Sequence, residues 1–111
     1  MKNIILMSII LSIGTFANVE SFSEKKKLQE LEYIKQVYKV KLRKKCRYSS
    51  AYFAQLHTQD EWGSLKSERE FKDEFELLCP KGKDVLDKGE MKELYFFVNE
   101  YAKGTGNYPK S

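Results

Sequence analysis

Leu28-Gln29-Glu30-Leu31-Glu32-Tyr33-Ile34-Lys35-Gln36-Val37-Tyr38-Lys39-Val40-Lys41-Leu42 is the stretch whose reading decides the fold. Leu28, Leu31, Ile34, Val37, Tyr38 and Leu42 recur every three or four residues, which lays one apolar stripe along an α-helix. Lys35, Lys39, Arg43 and Arg47 stand four residues apart and form a basic row away from much of that stripe. Ser23 followed by Glu24 marks the helix start. The spacing predicts a long first helix reaching about Lys45. A break or distorted turn is expected near residues 47–51, where Ser49-Ser50 weakens helix and Phe53 and Leu56 carry the apolar pattern onward.

Working outward toward the C-terminus, Thr58-Gln59-Asp60-Glu61 reads as a capping box that opens a short helix with Trp62 and Leu65 facing inward. Ser67-Glu68-Arg69-Glu70 reads as a second box. It opens a helix whose apolar side is Phe71, Phe75 and Leu78 and which Pro80 and Gly82 end. Val85 and Leu86 sit in a charged connector. Gly89 precedes a last helix in which Met91, Leu94, Tyr95, Val98, Tyr101 and Ala102 keep the helical period, with Gly104 as its C′ cap. Nothing reads as a strand ladder and no internal repeat stands out. The expected fold class is all-α: four to five helices with a long first helix.

Toward the N-terminus, Lys2 is followed by residues 4–13, apolar except for Ser8 and Ser12, and then by Thr15-Phe16-Ala17. A positive start, a short apolar run and small residues at a cleavage position describe a secretory signal peptide over residues 1–17. The run is shorter than the roughly 20 residues that span a bilayer. No cysteine lies at the cleavage position, which speaks against a lipid anchor. The expected product is a single helical domain over residues 18–111, periplasmic or secreted, with no transmembrane segment in the mature chain. The chain has seven Phe, seven Tyr and one Trp, and all but Phe16 fall in residues 18–111, which lets so small a domain bury much area with few side chains.

Cys46 and Cys79 are the two cysteines. In an oxidising compartment they most simply form one disulfide, the alternatives being an intermolecular bridge or free thiols. A loop of that length is worth roughly 4 kcal/mol in the chain-entropy account. Charge is uneven. Residues 24–47 hold ten Lys/Arg against three Glu, whereas residues 48–111 hold nine against twelve Asp/Glu. The basic row Lys35, Lys39, Arg43 and Arg47 is therefore the candidate partner-binding face, with a plain solvated helix face as the alternative.

The residues disfavour most chemistries. His57 is the single histidine, and the most plausible nucleophile, Cys46, is expected to be oxidised. Three Cys/His residues in all fall short of a four-ligand structural zinc site, and no Asp-rich calcium loop is present. No Gly-rich loop opens a helix to hold phosphate. The expectation is no catalytic residue, no metal and no nucleic-acid partner.

Two stretches carry a family resemblance. Tyr38-Lys39, Lys45-Cys46, Ser49-Ser50 and then His57-Thr58-Gln59-Asp60-Glu61-Trp62 form one. The final helix, Met91-Lys92-Glu93-Leu94-Tyr95-Phe96-Phe97-Val98-Asn99-Glu100-Tyr101, forms the other. Together they resemble exported class I cytochrome c-like domains, over about half of the mature chain. In that family an early helix runs into Cys-x-x-Cys-His and an aromatic last helix packs across the first. Here Cys46 matches the first cysteine, but Ser49 and Ser50 stand where the second cysteine and the axial histidine belong. A serine hydroxyl supplies neither a thioether nor a strong iron ligand. The resemblance thus implies a cytochrome c-like scaffold or a small orthogonal bundle without covalent haem. Cys46 would then be recruited to a disulfide with Cys79, and Phe and Tyr would fill the haem's place.

The function expected from these readings is a non-enzymatic binding or accessory protein of the cell envelope. It needs no cofactor, and its partner is an envelope or extracellular protein or an anionic surface. One alternative is a haem-binding electron-transfer protein with His57 as iron ligand. The other is a small secreted effector or inhibitor.

Overall fold

The structure, a computed structural model, describes residues 24–109. The expected signal peptide at residues 1–17 lies outside them. The chain divides into two compact units, Met1–Glu30 and Leu31–Ser111. Of the first, residues 24–30 are described and are helical, and Leu28, assigned to the apolar stripe by its spacing, is 61% exposed.

Six α-helices occupy the described residues, so the expectation of four to five is corrected. Helical backbone covers residues 24–41 (α1). It is followed by α2 (Arg43–Cys46), α3 (Ser50–Ala54), α4 (Gln59–Gly63), α5 (Glu68–Leu78) and α6 (Lys88–Glu100), with a short 3-10 turn at Pro80–Gly82. The count rises at two places. Leu42 widens to φ −119° and divides α1 from α2, while the helical hydrogen bonds run through it: its N–H donates to Tyr38 O and its O accepts from Cys46 N–H. Arg47 then takes the left-handed conformation, φ 67°, and closes α2. Ser49 caps α3, its hydroxyl accepting from Tyr52 N–H. The Ser-Ser pair therefore starts a helix instead of merely weakening one.

Three other helix starts depend on side-chain caps. Thr58 and Glu61 form the expected reciprocal box at α4. At α5, Ser67 accepts from Glu70 N–H, but the Glu70 carboxylate accepts from Lys66 N–H, so that box is half formed. The start of α6 is a full box made by Asp87 and Glu90. Gly104 is not the C′ residue: α6 is capped by Tyr101, and Gly104, φ 87°, lies in a turn closed by Thr105 N–H to Ala102 O.

Within the second unit, α6 packs against α3, α4 and α5, and the 3-10 turn packs against α2 and α5. Phe53 is the hub of the core. Its ring lies 5.9 Å from Tyr38, 5.7 Å from Trp62 and 5.8 Å from Phe75. Trp62 is fully buried and its indole N–H donates to Ala54 O at 3.0 Å, so its one polar atom is satisfied. Such ring pairs add about 0.5–1.5 kcal/mol each beyond area burial. The Cys46–Cys79 disulfide is formed, joining the end of α2 to the end of α5. No helix among the described residues is long and apolar enough to cross a membrane.

Candidate functional site

The basic row becomes one side of a cleft. Ile34, Tyr38 and Leu42 are buried in the core. Their one-residue offset from Lys35, Lys39 and Arg43 turns those cations to the edge of α1 and α2. Lys35, Lys39 and Arg43 line a cleft of about 300 Å³ together with Ser49, Ser50 and Pro109. Arg43 and Ser49 also line a more open concavity of about 540 Å³ with Arg47, Tyr48 and Tyr52. All four residues expected from sequence are thus brought to two adjoining hollows that share Arg43.

Their electrostatic states differ. The Lys35 ammonium lies 2.9 Å from the Glu32 carboxylate, which holds Glu32 below the usual carboxylate range, and its side chain is 14% exposed. Lys39, Arg43 and Arg47 are exposed and form no ion pair with any described residue. Three uncompensated cations side by side repel one another, and an anion relieves that repulsion.

The wall facing them is rigid. Tyr38 is buried and its hydroxyl donates to Tyr48 O at 3.0 Å. Burial, and then the neighbouring Tyr48, push the Tyr38 phenol above its ordinary range. The Tyr48 hydroxyl donates to Leu78 O. Its ring lies 5.5 Å from Tyr52 and 6.0 Å from Phe53, so the tyrosine wall is fastened to α5 and the core at once. The disulfide fixes the adjacent Cys46. The C-terminal tail supplies Pro109 because Lys103 N–H donates to His57 O and the Gln55 amide donates to Tyr101 O at 2.7 Å.

Sequence reasoning missed Tyr48, Ser49, Ser50, Tyr52 and Pro109 as cleft residues. Ser49 and Ser50 carried a local signal, since two serines after a helix end mark a cap. Pro109 carried none, because tail docking depends on partners about fifty residues away. Sequence reasoning also missed the Lys41–Glu90 pair, 2.8 Å, which ties α1 to the first turn of α6. Hydrogen bonding to that carboxylate raises Lys41 above its usual range.

A third hollow of about 300 Å³ lies between α5 and α6, lined by Leu65, Phe71, Met91, Tyr95 and Phe96 together with Lys66, Ser67, Glu68 and Lys92.

The residues named for haem do not fit that group. The Cys46 sulfur is bonded to Cys79 and has no thiol for a thioether. His57 is wedged edge-on against Trp62, 4.6 Å between ring centroids, with Nδ1 3.8 Å from Glu61 and Nε2 3.6 Å from Glu74. Both ring nitrogens therefore face carboxylates. Among the described residues no group of three or more His, Cys, Asp or Glu is placed to hold a metal ion.

No protein-family model matches this chain, and neither the curated proteins nor the solved structures include a match to it.

Proposed function

We propose that this chain is an exported, disulfide-stapled helical protein that acts without catalysis, by holding an anionic partner in the cleft between α1–α2 and α3. The observation that carries the reading is the convergence of Lys39, Arg43 and Arg47 on two adjoining hollows with no counter-charge of their own. Export is supported by the sequence of residues 1–17 and by the disulfide, a bond that persists in oxidising compartments. A binding role is supported by the rigidity of the wall. Tyr48 and the disulfide hold the site in shape, so little ordering cost falls on association.

The test is elution of the mature protein from a polyanionic matrix along a salt gradient. Lys39→Glu/Arg43→Glu/Arg47→Glu should elute at markedly lower salt than the parent. Lys81→Glu/Lys83→Glu/Lys92→Glu carries the same change of net charge away from the cleft and should shift less. Equal shifts from the two triple variants would mean that net charge alone governs binding and that the cleft is not the site.

A further inference from the structure

This inference rests on the cleft reading and names its ligand. We infer that the cleft accepts an extended acidic peptide segment whose carboxylates fall at alternate residues. The argument begins with spacing. Lys39, Arg43 and Arg47 are successive i, i+4 positions, and the Leu42-centred hydrogen bonds keep the helical pitch between them. At 1.5 Å per residue the row advances about 6 Å per step and about 12 Å over its length. In an extended chain, alternate side chains share one side and repeat about every 6.6 Å, so positions i, i+2 and i+4 span about 13 Å. Three carboxylates in that register meet three cations one to one. The intervening side chains point away to solvent.

The shape selects an extended chain. Lys39 and Arg43 line a concave trough together with Ser49, Ser50 and Pro109, and Arg43 and Arg47 line the hollow that adjoins it. A flat bilayer would touch the lysine and arginine tips without entering. A narrow strand enters and brings its backbone N–H and C=O groups to the two serine hydroxyls, which both donate and accept. Beyond Arg43, Tyr52 is 58% exposed beside Tyr48 and offers an aromatic face to the strand where the trough opens out. Guanidinium groups pair with carboxylates bidentately, so Arg43 and Arg47 read position as well as charge.

The experiment uses the mature disulfide-bonded protein and two synthetic peptides of identical composition. One carries three Glu at alternate positions with Ser between them, and the other carries the same three Glu in one block, which presents two carboxylates on one side and leaves one cation unmatched. Calorimetric titration at low salt should give tighter binding of the alternating peptide, by about two- to fivefold for the pair that the block peptide leaves unmatched. Arg43→Ala, an exposed substitution, should remove that preference. Equal affinity for the two peptides, with binding still lost in Lys39→Glu/Arg43→Glu/Arg47→Glu, overturns the register while leaving the basic cleft standing. Binding of a sulfated polysaccharide in the cleft with neither peptide bound overturns the peptide assignment. Binding of any probe that the triple variant does not weaken overturns both the ligand and the cleft.

Discussion

Gly82→Ala should be far more damaging than a single added methyl suggests. Gly82 is buried in the 3-10 turn that packs on α2 and α5. A Cβ there would lie 2.9 Å from Cys79 Sγ, 2.9 Å from Phe75 Cζ and 3.1 Å from Leu42 Cδ2. None of these neighbours yields cheaply. The sulfur is tethered to Cys46, Phe75 is 2% exposed and packed on Phe53, and Leu42 is fully buried. Overpacking of this kind costs about 1–3 kcal/mol. In a domain of this size, about 2 kcal/mol lowers Tm by roughly 8–16 °C. The assay is thermal unfolding followed by near-UV circular dichroism, run in the parent and in Cys46→Ser/Cys79→Ser. Without the bond, the smaller side chain at position 79 can swing away from the new methyl. The penalty should therefore shrink in the second background, with a coupling of about 0.5–3 kcal/mol. An unchanged Tm for Gly82→Ala would refute the packing described around the disulfide. An equal penalty in both backgrounds would refute the role given to the tethered sulfur.

Three other outcomes follow from the same structure. Reducing the disulfide, or replacing both cysteines by serine, should lower unfolding free energy in urea by roughly 4 kcal/mol, set by the loop between positions 33 residues apart. Arg47→Gly should relieve a left-handed residue at φ 67° and raise stability by about 1 kcal/mol while weakening retention on the polyanionic matrix. Tyr38 and Tyr48 both have phenols raised chiefly by burial, so the folded state holds their protons more tightly than the unfolded chain. Their contribution is complete below the unfolded value of about 10 and is lost as pH rises above it. Alkaline urea titrations should therefore show falling stability above about pH 10, and Tyr38→Phe should flatten part of that fall.

Local chemistry made much of this readable from sequence. Leu31, Ile34, Tyr38 and Leu42 are buried as their spacing implies, and Thr58 with Glu61 caps α4 by the reciprocal bonds their types allow. The cysteines pair because two helix ends meet. The misses have physical causes. Leu42 looks like any stripe residue, and no Gly or Pro announces the break beside it. Asp87-x-x-Glu90 is as good a box as Thr58-x-x-Glu61, but Gly89 within it suits a helix boundary by type, whereas it lies inside the first turn of α6. Gly104 suits a C′ cap by type, yet it serves a turn two residues beyond Ala102. The basic row was visible as an i, i+4 pattern. Its concavity was not, because Tyr48, Ser49 and Pro109 reach it through the left-handed Arg47 and through long-range tail bonds.

The most direct test of the cleft is a nuclear magnetic resonance titration of ¹⁵N-labelled, disulfide-bonded protein spanning residues 18–111 with short polyglutamate at low salt. The account predicts that the largest amide shifts cluster at Lys39, Arg43, Arg47, Ser49, Ser50 and Tyr52 and vanish in Lys39→Glu/Arg43→Glu/Arg47→Glu. Shifts centred on the hollow between α5 and α6, or spread evenly over all exposed lysines, would contradict it.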